Sequence, residues 1–128
     1  MLTVALVFAG LAALLHVYIF VLESLQWETP ATRRAFGTSP EEAAITKPLA
    51  YNQGFYNLFL AIGTAVGIAI SGSNRDAGLA LVTFATGSML TAALVLGSSD
   101  RSKLRAAFTQ GTIPALALLS LLVWVLTK

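Results

Sequence analysis

The sequence predicts an all-α membrane protein: a polytopic chain with four transmembrane helices in an up-down bundle and short interfacial helices in its first loop. Three observations carry this. Hydrophobic residues make up 56% of the chain and charged residues 11%, against roughly 25% charged in an ordinary soluble domain. Mean hydropathy is +0.77. Four windows hold no Asp, Glu, Lys or Arg at all: Met1 to Leu22, Pro48 to Asn74, Ala77 to Ser99 and Ala106 to Thr127. Each exceeds the roughly 20 residues a helix needs to cross a hydrocarbon core about 30 Å thick, and internal hydrogen bonding is the one way such runs satisfy their backbone in lipid. Residues 1–128 therefore read as a single four-helix domain, with helices near 2–27, 50–71, 77–98 and 106–126.

The first helix carries a clear partition. At an ideal 100° per residue, Ala5, Ala9, Ala12, Ala13, His16, Phe20, Glu23 and Trp27 share an arc of roughly 120°. Val7, Leu11, Leu14, Leu15, Leu22 and Leu25 lie opposite. Small and polar residues on one face suit helix packing, and a leucine face suits lipid. His16 and Glu23 point the same way but stand about 10 Å apart along the axis at the helical rise, too far to ligate one ion together. This run is expected to remain in the mature chain, because no Lys or Arg precedes it and it is longer than a signal peptide's apolar region.

The segment from Glu28 to Leu49 holds two helix-start signals. Thr29-Pro30 offers an N-cap and an N1 proline, with Gly37 as the stop, and Ser39-Pro40-Glu41-Glu42 is a capping box. Two short helices at the membrane surface are expected here, with Arg33 and Arg34 on a solvated face.

The second long helix opens on the most polar stretch of any apolar run, Tyr51-Asn52-Gln53-Gly54-Phe55-Tyr56-Asn57. Asn52, Gln53, Tyr56, Asn57, Gly63, Thr64, Gly67 and Ser71 fall within roughly 140° of arc. Gly63-xxx-Gly67-xxx-Ser71 reads as a small-residue stripe for close helix approach. In the third helix Thr83, Gly87, Thr91 and Ser98 form a weakly polar packing seam. In the fourth, Pro114 leaves the Gln110 carbonyl without its usual donor. Trp27 and Trp124 are expected to be interface anchors.

Counted from the nearer helix end at 1.5 Å per residue, Asn52 and Gln53 lie about 3 to 6 Å deep, Glu23 and Gln110 about 6 Å, Asn57 about 12 Å and His16 about 16 Å. Three helices thus bring polar groups to the same half of the bundle, and a polar cavity follows, with His16 at its floor. A carboxylate facing hydrocarbon costs on the order of 2.5 to 3.5 kcal/mol at a helix centre, so these groups seek one another or water. The candidate ligand-binding set is His16, Glu23, Asn52, Gln53, Tyr56, Asn57 and Gln110.

Loop charge sets the expected orientation. Arg33, Arg34, Lys47, Arg101, Lys103 and Arg105 lie in the first and third loops, and only Arg75 and Lys128 lie on the other side. The positive-inside rule then makes the first and third loops cytoplasmic and both termini external, in the cell (inner) membrane. The expected partners are membrane lipid, a small-molecule ligand and further copies of the chain. A net charge of +2, scattered along the chain, points away from nucleic acid. No cysteine is present, which excludes disulfides and thiolate metal sites. No phosphate loop, paired metal-binding histidines or nucleophile elbow occurs, and no cofactor, metal or catalytic residue is assigned.

His16 with Glu23 seven residues later, Trp27, Phe36-Gly37 and then Asn52-Gln53-Gly54-Phe55-Tyr56-Asn57 resemble a family of small four-helix membrane proteins, mostly bacterial, catalogued as a domain of unknown function. The resemblance covers essentially the whole chain. It implies the four-helix fold and singles out His16, Glu23, Asn52, Gln53, Tyr56 and Asn57, without implying a chemistry. Three functions fit the residues: a binding or transport protein for a small polar or cationic solute, a membrane enzyme acting on a lipid or isoprenoid with His16 and Glu23 as acid and base, and a structural or accessory subunit. The first is the preferred expectation, because no recognised catalytic motif is present.

Overall fold

The computed structural model describes residues 1–128. Helix α1 spans Leu2–Phe20 and continues through one π-helical turn, Val21–Leu25. Helix α2 spans Pro30–Phe36, α3 Pro40–Ile70, α4 Arg75–Ser99 and α5 Leu104–Thr127, with a single 3₁₀ turn at Arg101–Lys103 before α5. The segments Leu2–Leu25, Pro40–Ile70, Arg75–Ser99 and Arg101–Thr127 are each long and apolar enough to cross a membrane. The chain is an all-helical integral membrane protein. Its long helices form a closed ring in which α1 packs on α3 and α5, α3 on α4, and α4 on α5.

Local sequence signals explain the helix ends. Thr29 accepts a hydrogen bond from Thr32 N at 3.3 Å, Pro30 takes the first helical position, and Gly37 ends α2 in the left-handed conformation at φ 63°. Ser39 and Glu42 form the reciprocal capping box, Glu42 N to Ser39 Oγ at 3.1 Å and Ser39 N to Glu42 Oε2 at 3.0 Å. The sequence predicts a second short helix at that box, and none forms. The box opens α3 itself, which runs through Pro48 to Ile70. Proline forfeits the bond to the carbonyl four residues earlier, but Ala44 is exposed, where water can replace the missing donor. At 31 residues, α3 is about 46 Å long, so its first turns project beyond a hydrocarbon core.

The interior is built from small side chains. Ala5, Ala9, Val82, Ala117 and Leu121 form the core cluster near the end bearing both termini. Leu14, Phe84, Phe108 and Leu126 are among many large apolar residues left exposed on the outside, as expected where lipid replaces water as solvent. The partition foreseen in α1 holds for Ala5, Ala9, Ala12, Ala13, His16 and Glu23, all buried, with one exception. Leu22, assigned to the lipid face, is buried, because α2 folds back beside α5 and brings Ala35, Phe36 and Ala106 around it.

The small-residue stripe of α3 is only partly used. A Cβ at Gly67 would stand 2.8 Å from the Gly78 carbonyl of α4, whereas one at Gly63 would meet nothing within 4 Å. Close approach therefore depends on Gly67 and Gly78, while Gly63 faces open space.

Candidate functional site

The site is organised by the π turn that ends α1. Gln26 N bonds back five residues to Val21 O at 3.0 Å, and wide turns of this kind recur at functional positions. The turn carries Glu23 and Ser24 against α3, where the sequence supplies a glycine. A Cβ at Gly54 would collide with Ser24 Oγ and stand 3.0 Å from Ser24 N and 3.1 Å from Glu23 Cβ. Ser24 Oγ donates to the Tyr51 carbonyl at 2.8 Å. One turn above Gly54, Asn57 Nδ2 donates to Glu23 Oε2 at 2.7 Å. Glu23 is 8% exposed and Asn57 7%, so this is a buried hydrogen bond between two helices.

Glu23 has no cationic partner. The one ion pair in the chain joins Lys47 to Glu28, 2.6 Å apart at the surface. Glu23, Gln53 and Gln110 instead line a common cleft of about 500 Å³, closed from the loop side by Phe36, Gly37 and Thr38 at the end of α2, by Glu42 and Thr46 of the first turns of α3 and by Asp100, Ser102 and Lys103 of the third loop. Two links hold that closure together. Lys103 Nζ donates to the carbonyls of Phe36 at 2.6 Å and Gly37 at 3.1 Å, at the negative end of the α2 dipole. Trp27 Nε1 donates to Thr46 Oγ1 at 3.1 Å, and the Trp27 and Phe36 rings lie 5.2 Å apart.

The turn carrying Lys103 is itself capped. Asp100 Oδ1 accepts from Ser102 N at 2.9 Å and from Ser102 Oγ at 2.6 Å. These bonds hold the Asp100 carboxyl below the usual carboxylate range.

The remaining candidate residues separate from this cleft. His16 is 1% exposed, its Nδ1 donates to the Ala12 carbonyl at 2.8 Å, and Nε2 makes no hydrogen bond within the chain. It does not line the cleft shared by Glu23, Gln53 and Gln110. Asn52 is exposed and makes no side-chain hydrogen bond, and Tyr56 is 57% exposed with its ring edge-on to Phe59 at 6.3 Å. The reason is angular: the buried stripe of α3 is Ala43, Ala50, Gly54, Asn57, Ala61, Thr64 and Gly67, as wide as the polar arc but turned roughly 60° from it, and Asn52 and Tyr56 lie on the flank left outside.

A protein-family model described as "Protein of unknown function (DUF1304)" matches residues 10–122. The chain belongs to this family. No curated protein and no solved structure matches it. The DUF1304 match runs from the middle of α1 to the last turns of α5 and so includes every candidate residue from His16 to Gln110.

Several residues around the cleft lay outside the candidate set. Trp27, expected as an interface anchor, shares the inward arc of Glu23 four positions earlier, and it lines the Glu23 cleft and donates to Thr46. Ser24 is recognisable only through Gly54. Lys103 and Thr38 carry no local signal, since their place depends on the meeting of two loops far apart in sequence.

Proposed function

We propose that this protein binds a small polar or cationic solute in the cleft around Glu23 and carries it through the membrane. In this reading Glu23 supplies the charge or exchanges a proton, and Asn57 orients its carboxylate. Gln53 and Gln110 offer amide donors and acceptors to the solute, and His16, deeper in the bundle, relays or senses the proton. The observation that carries the reading is a buried carboxylate with an amide partner and no cation, at the wall of a cleft that also presents two further amides. Ionisable groups at membrane depth are costly and mark solute or proton paths by default. The first and third loops face the cytoplasm of the cell (inner) membrane and both termini face outward, on the six-to-two distribution of positive charge. Asn52 and Tyr56, exposed on the outer flank of α3, serve a contact with a second copy of the chain in a homo-oligomer.

Reconstituted protein tests this directly. Proton-coupled counterflow in proteoliposomes, lost on Glu23→Gln, is the expected result. Turnover of a lipid or isoprenoid in detergent, with no flux in vesicles, would replace the reading with an enzymatic one. A Glu23→Gln or His16→Asn variant that folds and leaves every cellular phenotype intact would leave only a structural role. The enzymatic alternative is weakened by geometry, because His16 stands apart from the cleft that holds Glu23.

A further inference from the structure

The walls of the Glu23 cleft define what kind of solute it accepts, given the reading that the cleft is a ligand site. Four side chains along it carry charge: Glu23, Glu42, Asp100 and Lys103. Three are already committed. Glu42 closes the capping box on Ser39, Asp100 caps the turn at Ser102, and Lys103 is held by the Phe36 and Gly37 carbonyls. Of the three carboxyl groups Glu23 alone is buried, with a single hydrogen bond, from the Asn57 amide. Three carboxyl groups against one ammonium give the cleft an acidic balance that disfavours anions.

The surroundings argue against a small inorganic ion. The chain has no group of three His, Asp or Glu side chains able to hold a metal, and hard cations require six or more oxygen ligands. Two aromatic rings, Trp27 and Phe36, line the same cleft as the carboxyl, with their centroids 5.2 Å from each other. Aromatic faces favour weakly hydrated organic cations, and quaternary ammonium groups are commonly recognised in this way. The volume of about 500 Å³ lies in the range of small-molecule sites. Glu23 and Trp27 further border a second opening beside Lys47 and Tyr51, on the outer side of the π turn, so the pair stands between two ways in.

We propose that the cleft binds an organic ammonium ion, with Glu23 as its counter-charge and Trp27 and Phe36 as its aromatic walls. The probes are choline, tetraethylammonium and the uncharged carbon isostere of choline. Trp27 emission is followed in purified full-length protein carrying Trp124→Phe, so that one tryptophan reports. Choline or tetraethylammonium is expected to change Trp27 emission saturably, and the isostere is not. Glu23→Gln is expected to weaken choline binding about tenfold or more, the loss corresponding to about 1.4 kcal/mol. By equilibrium dialysis, Trp27→Leu weakens choline similarly and Trp27→Phe restores most of the affinity. Should Glu23→Gln fail to fold, Phe36→Leu reads the aromatic wall independently, and it too is expected to weaken choline but not any binding of the isostere.

Equal binding of choline and its isostere, unaffected by Glu23→Gln, would overturn the ammonium assignment while leaving a solute site in the cleft. No saturable binding of either cation at tens of millimolar would also overturn it. Only the further absence of any Glu23-dependent flux in proteoliposomes would remove the solute-binding reading beneath it.

Discussion

The two ends of this helical bundle use close helix approach for opposite purposes. At the end bearing the termini, Ala5, Ala9, Val82, Ala117 and Leu121 fill the centre, and the Gly67 and Gly78 backbones of α3 and α4 nearly touch. At the loop end, Gly54 brings α3 equally close to α1, but the contact delivers an amide to a carboxylate and leaves a cleft beside it. One small-residue device thus seals one half and builds a polar site in the other. The difference lies in what flanks the glycine: apolar side chains around Gly67, and Ser24, Glu23 and Asn57 around Gly54.

This contrast can be broken most severely at the sealed end. Gly67→Val would drive methyl groups into the Gly78 carbonyl and is expected to cost about 3 kcal/mol, the upper range for overpacking, measured by thermal or denaturant unfolding in detergent. Gly63→Ala is the matched control. Its added methyl meets nothing, so the helix is expected to gain about 0.5 to 1 kcal/mol from lost unfolded-state freedom.

At the polar end, Asn57→Ala strips Glu23 of its only donor. A loss of about 1 to 2 kcal/mol is expected, above the roughly 0.6 kcal/mol typical of interhelical bonds in membranes, because the buried carboxyl is left without a partner. A double-mutant cycle with Glu23→Gln should show coupling, and strict additivity would sink the idea that the pair acts as a unit. Lys103→Met removes two bonds to the α2 carbonyls and should cost about 1 kcal/mol or less. The more telling readout is faster amide hydrogen exchange in α2, with α1 and α3 unchanged.

The smallest effect belongs to the Asp100 turn. Its carboxyl is held low by Ser102, so whatever it contributes is present above the ordinary carboxylate value of 3.8 and is lost as pH falls through the lowered one. An NMR titration of the Ser102 amide should therefore show its transition below 3.8, and a transition at or above that value would contradict the cap.

Much of the architecture could be read locally. Charge-free windows of sufficient length announce four spans, and Thr29-Pro30 to Gly37 announces α2, because capping chemistry acts within one turn. The capping box at Ser39 was equally legible, but its consequence was not. Whether a helix that starts there stops at Pro48 or runs on depends on whether the carbonyl freed by proline lies in water, which is a matter of three-dimensional position.

For the site, residue types and depth were legible and direction was not. Counting along the helices brings Glu23, Gln53, Asn57 and Gln110 to one half of the bundle, and Glu23, Gln53 and Gln110 do share a cleft with Asn57 bonded to the carboxylate. The same arc also contains Asn52 and Tyr56, which the packed structure leaves outside. The polar arc and the buried stripe of α3 each span roughly 140° but are offset by roughly 60°, so polarity alone does not say which of the arc's members turn inward. Composition, periodicity and capping motifs by themselves determined the membrane class, the number of spans and the face of α1 that turns inward, because each depends on residues within a few turns of one another. The π turn beneath Glu23, the inward choice of Asn57 over Asn52 and the latch from Lys103 to α2 were decided only by tertiary structure. Each requires contact between segments that sequence distance separates and packing alone brings together.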